Sequence, residues 1–157
     1  MNTMRNGFVA GLVLGVLIIV GGVVVLNAAQ GAVESRVINL PGRTTTAPFS
    51  DAVLVGNTLY VAGRLGLDPD TGRPPSTAEQ EAHNVLNGIQ SVLAAADMTM
   101  DDLVSVQVFC SDVSLYGAFN RAYSTYFNAA PPARAFVGSG TLLFGARFEV
   151  MAVAVMS

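Results

Sequence analysis

Hydrophobic and polar positions divide the chain into two unequal stretches. From Phe8 to Ala29 there are 22 residues without a charge, beginning FVAGLVLGVLIIVGGVVVL. At about 1.5 Å of rise per residue such a helix crosses a bilayer core of about 30 Å. The spacing therefore predicts an N-terminal tail over 1–7, a single transmembrane helix over 8–29 and a linker over 30–35. Beyond it the pattern changes to short runs. RVINL reads as a strand, and AVLVG and NTLYVAG as two more, joined at Gly56-Asn57, a pair suited to a tight hairpin. After the turn-rich DPDTGRPPS, Ser76-x-x-Glu79 offers a capping box, and Ala82, Val85, Leu86, Ile89, Val92, Leu93 and Ala96 fall at helical steps of three and four. LVSVQVFCS at 103–111 predicts a strand. A helix follows over about 114–127, stopped before Pro131-Pro132, and then two strands near 133–138 and 146–155.

The order β-β-β-α-β-α-β-β predicts an α+β domain over 36–157, one mixed sheet carrying two helices on one face. The sheet's other face needs cover, so the layout predicts an oligomer.

The apolar segment admits two readings. A secretory signal is suggested by the small residues around Ala29-Gln30-Gly31, but a signal's apolar region is usually about 7 to 15 residues, and this run is longer. Retention as a single-pass anchor is the reading adopted. Gly7, Gly11 and Gly15 form one flat stripe that lets helices pack closely in lipid, although glycine is common in membrane helices in any case. Orientation is nearly tied, with Arg5 on one side and Arg36 and Arg43 on the other. The short tail tips the balance toward a domain outside the cytoplasm.

Composition adds exclusions. Only 12% of residues are charged, against about 25% in ordinary soluble domains, which fits burial or lipid. Net charge is −3, with eight arginines and no lysine, and no basic cluster is present to neutralise a run of phosphates, so nucleic acid is excluded as a partner. The lone Cys110 excludes an intrachain disulfide and a thiolate metal cluster. It alternates with Val104, Val106 and Val108, which predicts a buried, inert thiol. His83, the one histidine, falls opposite the apolar helical stripe near Gln80 and Asn87, a solvated position with no second histidine for a zinc site. No cofactor is implied.

Several segments together resemble the RidA/YjgF family: APFSDAVLVGNTLYVAGRLGLDPDTG, the helix with VLNGIQSVLAAA, DDLVSVQVFCSD, FNRAYSTYF, and PPAR followed by FEVMAVAV. The resemblance covers nearly all of 36–157. It implies a chorismate-mutase-like fold, a homotrimer with ligand clefts between subunits, and hydrolysis of 2-imino acids or their enamine tautomers to 2-keto acids and ammonia. It also implies that Arg134 of PPAR binds the substrate carboxylate by a two-pronged ion pair, a role a guanidinium's geometry and permanent charge suit. Gly63 of VAGRLG matches the family's ligand-holding backbone, and Asn120 of FNRAY a position near the cleft.

Three departures qualify the resemblance. The family's tyrosine in PYSQA is Phe49, and the serine before the glycine is Ala62. The family's terminal E-I-E-A-I-A reads Glu149-Val150-Met151-Ala152-Val153-Ala154 here, so Met151 stands where the resemblance puts a proton-handling glutamate. Loss of a general acid or base typically costs about 10² to 10⁴ in rate. Glu149 points to the same face as Met151, about 6.6 Å away along the strand, and is the substitute proton carrier unless it and Arg147 serve as interface ion pairs.

Two functions follow. One is a membrane-anchored protein with an interfacial small-carboxylate site, acting as a weak or degenerate 2-imino acid deaminase. The other is a non-catalytic ligand-binding or structural subunit of a larger membrane protein complex. Ribonuclease activity, also associated with the family, is opposed by the low pI and missing basic patch.

Overall fold

The computed structural model describes residues 33–43, 47–128 and 130–156. The expected transmembrane helix over 8–29 lies outside the described residues. Among the described residues no helix is long and apolar enough to cross a membrane.

Six strands and two α-helices are described: β1 (Ser35–Ile38), β2 (Ala52–Val55), β3 (Thr58–Leu65), α1 (Ala78–Ala94), β4 (Leu103–Cys110), α2 (Tyr116–Tyr123), β5 (Ala133–Gly138) and β6 (Phe148–Val155). They form one sheet in the order β1-β2-β3-β6-β4-β5. All neighbours are antiparallel except β4 and β5, which run parallel around the α2 crossover. The expected mixed sheet with two helices is thus present. The hairpin turns at Gly56-Asn57, with φ of +59° at Gly56, a conformation that glycine adopts without steric cost.

The helical stripe is buried as its spacing requires. Ala82, Val85, Leu86, Ile89, Val92, Leu93 and Ala96 are at most 1% exposed and meet Leu59, Val61, Val106, Val108, Val150 and Ala152 from the sheet. The opposite face of the sheet presents Tyr60, Gln107 and Met151, all exposed.

Five local expectations are corrected. The cap of α1 is Thr77, not Ser76: its side chain accepts from the Gln80 amide at 3.2 Å. The second helix is α-helical only over 116–123, with tight 3₁₀ turns at 113–115 and 124–126. The last strand begins at Phe148 rather than 146, because the Arg147 amide donates to Glu81 Oε1 instead of to a neighbouring strand. Val104 does not share the buried face of Cys110. The register slips between Leu103 and Ser105, and this bulge turns Val104 outward to 46% exposure. His83 is half-buried rather than solvated, since the turn after α2 lays Tyr126 across α1. His83 Nδ1 lies 3.0 Å from the Tyr126 hydroxyl, which donates to Asn87 Oδ1 at 2.7 Å.

Candidate functional site

Arg134 lies on the edge strand β5 in register with Val106, so its side chain faces the helices. It is half-buried, and its Nη2 donates to Asn120 Oδ1 of α2 at 2.8 Å. Four rings surround the guanidinium, with centroids 4.4 Å (Tyr123), 5.7 Å (Tyr116), 5.8 Å (Phe119) and 5.9 Å (Phe136) from its central carbon. Such contacts attract a cation to the electron-rich ring face, each by about 0.5–1 kcal/mol at exposed sites. Arg43, Arg64, Arg121 and Arg147 have carboxylate partners, but Arg134 has none among the described residues. A half-buried cation held by rings and one amide oxygen is ready to accept an anion. The cleft it borders has a volume of about 540 Å³ and is walled by Tyr123, Phe127, Pro131 and Pro132.

Arg134 and Asn120 are therefore brought together as expected. Sequence reasoning missed Tyr123 and Phe127. The signal available was spacing: Tyr123 stands three residues after Asn120 and so shares its helical face. The Tyr123 hydroxyl is buried with no hydrogen-bond partner among the described residues. Burial pushes its pKa up, and the Arg134 charge opposes that rise.

Gly63, Glu149 and Met151 form a second cluster on the opposite face of the sheet. The β3–β6 register skips from Val61 to Arg64, so Ala62 and Gly63 bulge opposite Met151. A Cβ at Gly63 would overlap Glu149 Oε1, which places that carboxylate against the Gly63 backbone. Glu149 makes no ion pair or hydrogen bond among the described residues and is half-buried. Met151 is 39% exposed. Phe49 is 58% exposed, with the Arg43 guanidinium 5.1 Å from its ring centroid. Nearby Asp51 forms an ion pair with Arg43 at 3.5 Å and accepts from Arg64 at 3.2 Å, while its carbonyl accepts from the Ala62 amide at 3.0 Å.

Arg147, expected on the same face as Glu149, turns to α1 instead. Arg147 Nη1 is 2.7 Å from Glu81 Oε2, a carboxylate of α1 that is 0% exposed. Glu81 Oε1 also accepts from the Phe148 amide at 3.1 Å. This buried clamp fixes the start of β6, one residue before Glu149. Sequence periodicity had given no sign of it, because Glu81 borders the apolar stripe rather than breaking it.

The family model described as Endoribonuclease L-PSP matches residues 41–156. A mouse 2-iminobutanoate/2-iminopropanoate deaminase is 37% identical over 109 residues, covering 69% of this chain and 81% of the relative. The human protein of the same name is 35% identical over 109 residues, with 69% and 80% covered. Among solved structures, a Thermotoga maritima protein superposes with a TM-score of 0.72 at 32% identity, over 78% of this chain and 98% of the other. Escherichia coli TdcF with bound serine gives 0.72 at 25% identity, over 78% and 99%.

Proposed function

The chain belongs to the RidA/YjgF family, whose model is described as Endoribonuclease L-PSP, and from that premise we propose that it is a 2-imino acid deaminase acting at a small-carboxylate site. The observation that carries this reading is Arg134, a half-buried guanidinium without a carboxylate partner among the described residues, at the edge of a cleft. The relatives named as deaminases and the neighbour with bound serine support a ligand that carries a carboxylate beside a nitrogen.

Arg134 and the Gly63–Glu149 cluster lie on opposite faces of one protomer's sheet, so a complete site needs a second copy. The uncovered sheet face supports a homotrimer in which Arg134 of one protomer meets Gly63 and Glu149 of the next. In that arrangement Arg134 holds the substrate carboxylate. Water adds to C2 of the imine, and Glu149 accepts the proton from that water. Glu149 returns that proton to nitrogen, which gives a carbinolamine; it then takes the proton of the C2 hydroxyl and passes it to the same nitrogen, so that the C–N bond breaks, ammonia leaves, and a 2-keto acid remains. Glu149 supports this role better than position 151, because its carboxylate lies against Gly63. The apolar run over 8–29 supports a membrane-anchored protein, and the acidic balance supports a ligand other than nucleic acid.

A second reading rests on Phe49, Ala62 and Met151, which lack polar groups usual in the family: a non-catalytic ligand-binding subunit of a membrane assembly. Turnover of 2-iminopropanoate, generated in situ and presented to the full chain, separates the two. Deamination that falls about 10² or more with Arg134→Ala, and about 10² to 10⁴ with Glu149→Gln, is expected of the enzyme. A folded protein without turnover belongs to the second reading.

A further inference from the structure

The Arg134 cleft has two halves of different chemistry. One end is the guanidinium; the remaining wall presents mostly carbon. The side-chain oxygens of the wall are engaged or hidden: Asn120 Oδ1 accepts from Arg134, the Ser124 hydroxyl donates to the Arg121 carbonyl at 3.2 Å, and the Tyr123 hydroxyl is buried, which leaves the Asn120 amide nitrogen, beside the guanidinium, as a donor. Beyond Arg134, Asn120 and Ser124, the cleft is lined by the Tyr123 ring, the Phe127 ring with its centroid 4.8 Å from that of Tyr123, and the pyrrolidines of Pro131 and Pro132.

Size points the same way as lining. On one protomer the cleft measures about 540 Å³, many times the roughly 30 Å³ that one water takes, so an acid with a methyl or ethyl tail leaves much of the ring and proline wall uncovered. A longer apolar tail removes water from both the wall and itself, which is favourable in proportion to the area buried. A charged or hydroxylated tail laid along the rings and prolines would lose its hydration with no partner offered there. Consecutive prolines also fix their backbone at φ near −65°, so the outer edge of the wall is held in place.

We propose that this wall is a side-chain subsite, and that the preferred 2-imino acid carries an apolar side chain of leucine size or larger rather than a methyl or ethyl group. The inference rests on the deaminase reading. With its carboxylate on Arg134, such a substrate lays its side chain along the Tyr123 ring, 4.4 Å from the guanidinium carbon, and onto Phe127.

Stable 2-oxo acids test the subsite without catalysis. Calorimetry on the full chain compares 4-methyl-2-oxopentanoate with 2-oxopropanoate, and turnover compares the imines generated in situ from leucine and alanine. The longer acid is expected to bind at least about tenfold more tightly, since one methylene in an apolar pocket already discriminates by about 10 to 200-fold. Phe127→Ala and, at the exposed rim, Pro131→Ser each pull that ratio toward one. Equal affinities, binding of neither acid, or a ratio unmoved in both variants overturns the subsite. A clear binding preference with no turnover of either imine by the folded protein supports the subsite and sinks the deaminase reading instead.

Discussion

At the scale of single residues, burial and contact decide what each group does. The Cys110 thiol is 0% exposed, and loss of solvation pushes its pKa up, so the thiolate that reacts is scarce. Native protein is expected to resist a maleimide at pH 8 and to react once unfolded; rapid native labelling would contradict the burial. Gly63 lies where a Cβ would overlap the Glu149 carboxylate. Gly63→Ala is therefore expected to displace Glu149 and depress turnover at least tenfold while circular dichroism stays native. Desolvation raises the pKa of both Tyr123 and Tyr126. A phenol whose folded pKa exceeds its unfolded value contributes stability below about pH 10, and that contribution is lost as pH rises through the folded pKa. A stability curve measured by denaturant should accordingly fall above about pH 10, and Tyr123→Phe, Tyr126→Phe together should flatten the fall. The sequence placed Arg134 and Asn120 at the cleft, but an environment made of rings from α2 and β5 is a property of packing, not of either residue.

Elements carry the next level of reasoning. Periodicity identified α1 because its apolar residues recur at 3.6-residue spacing, whereas its start was misplaced by one residue. Ser76 and Thr77 are both competent caps, and the choice falls to whichever hydroxyl reaches an amide three residues on. Thr77→Ala is expected to cost about 1 kcal/mol in chemical denaturation, with Ser76→Ala near zero. The clamp from α1 to β6 is stronger. Glu81→Ala leaves the Arg147 and Phe148 amides and a half-buried guanidinium without their acceptor, and is expected to cost about 3–5 kcal/mol. A loss below about 1 kcal/mol would mean the clamp does not fix β6. The two bulges, at Val104 and at Ala62-Gly63, escaped the alternation pattern because an extra residue in one strand is visible only when the partner strand is known.

At the scale of the whole molecule, one face of the sheet is covered by α1 and α2 while the other exposes Val37, Tyr60 and Met151 at 58%, 53% and 39%. Light scattering on the full chain is expected to give three times the 16.3 kDa subunit mass once any detergent is subtracted. A monomer would leave Arg134 and Glu149 on opposite faces and remove the proposed site. The sequence by itself determined the order of strands and helices and the buried face of α1, because hydrophobic periodicity and turn residues are local and survive without a partner. It also marked Arg134, Asn120 and Gly63, through the motifs around them. Only the tertiary structure decided that Arg134 sits among four rings, that Glu149 lies against Gly63, and that Arg147 is committed to Glu81. Each of those depends on the register between segments distant along the chain, and register follows from the packing of the whole sheet against its helices rather than from any one segment.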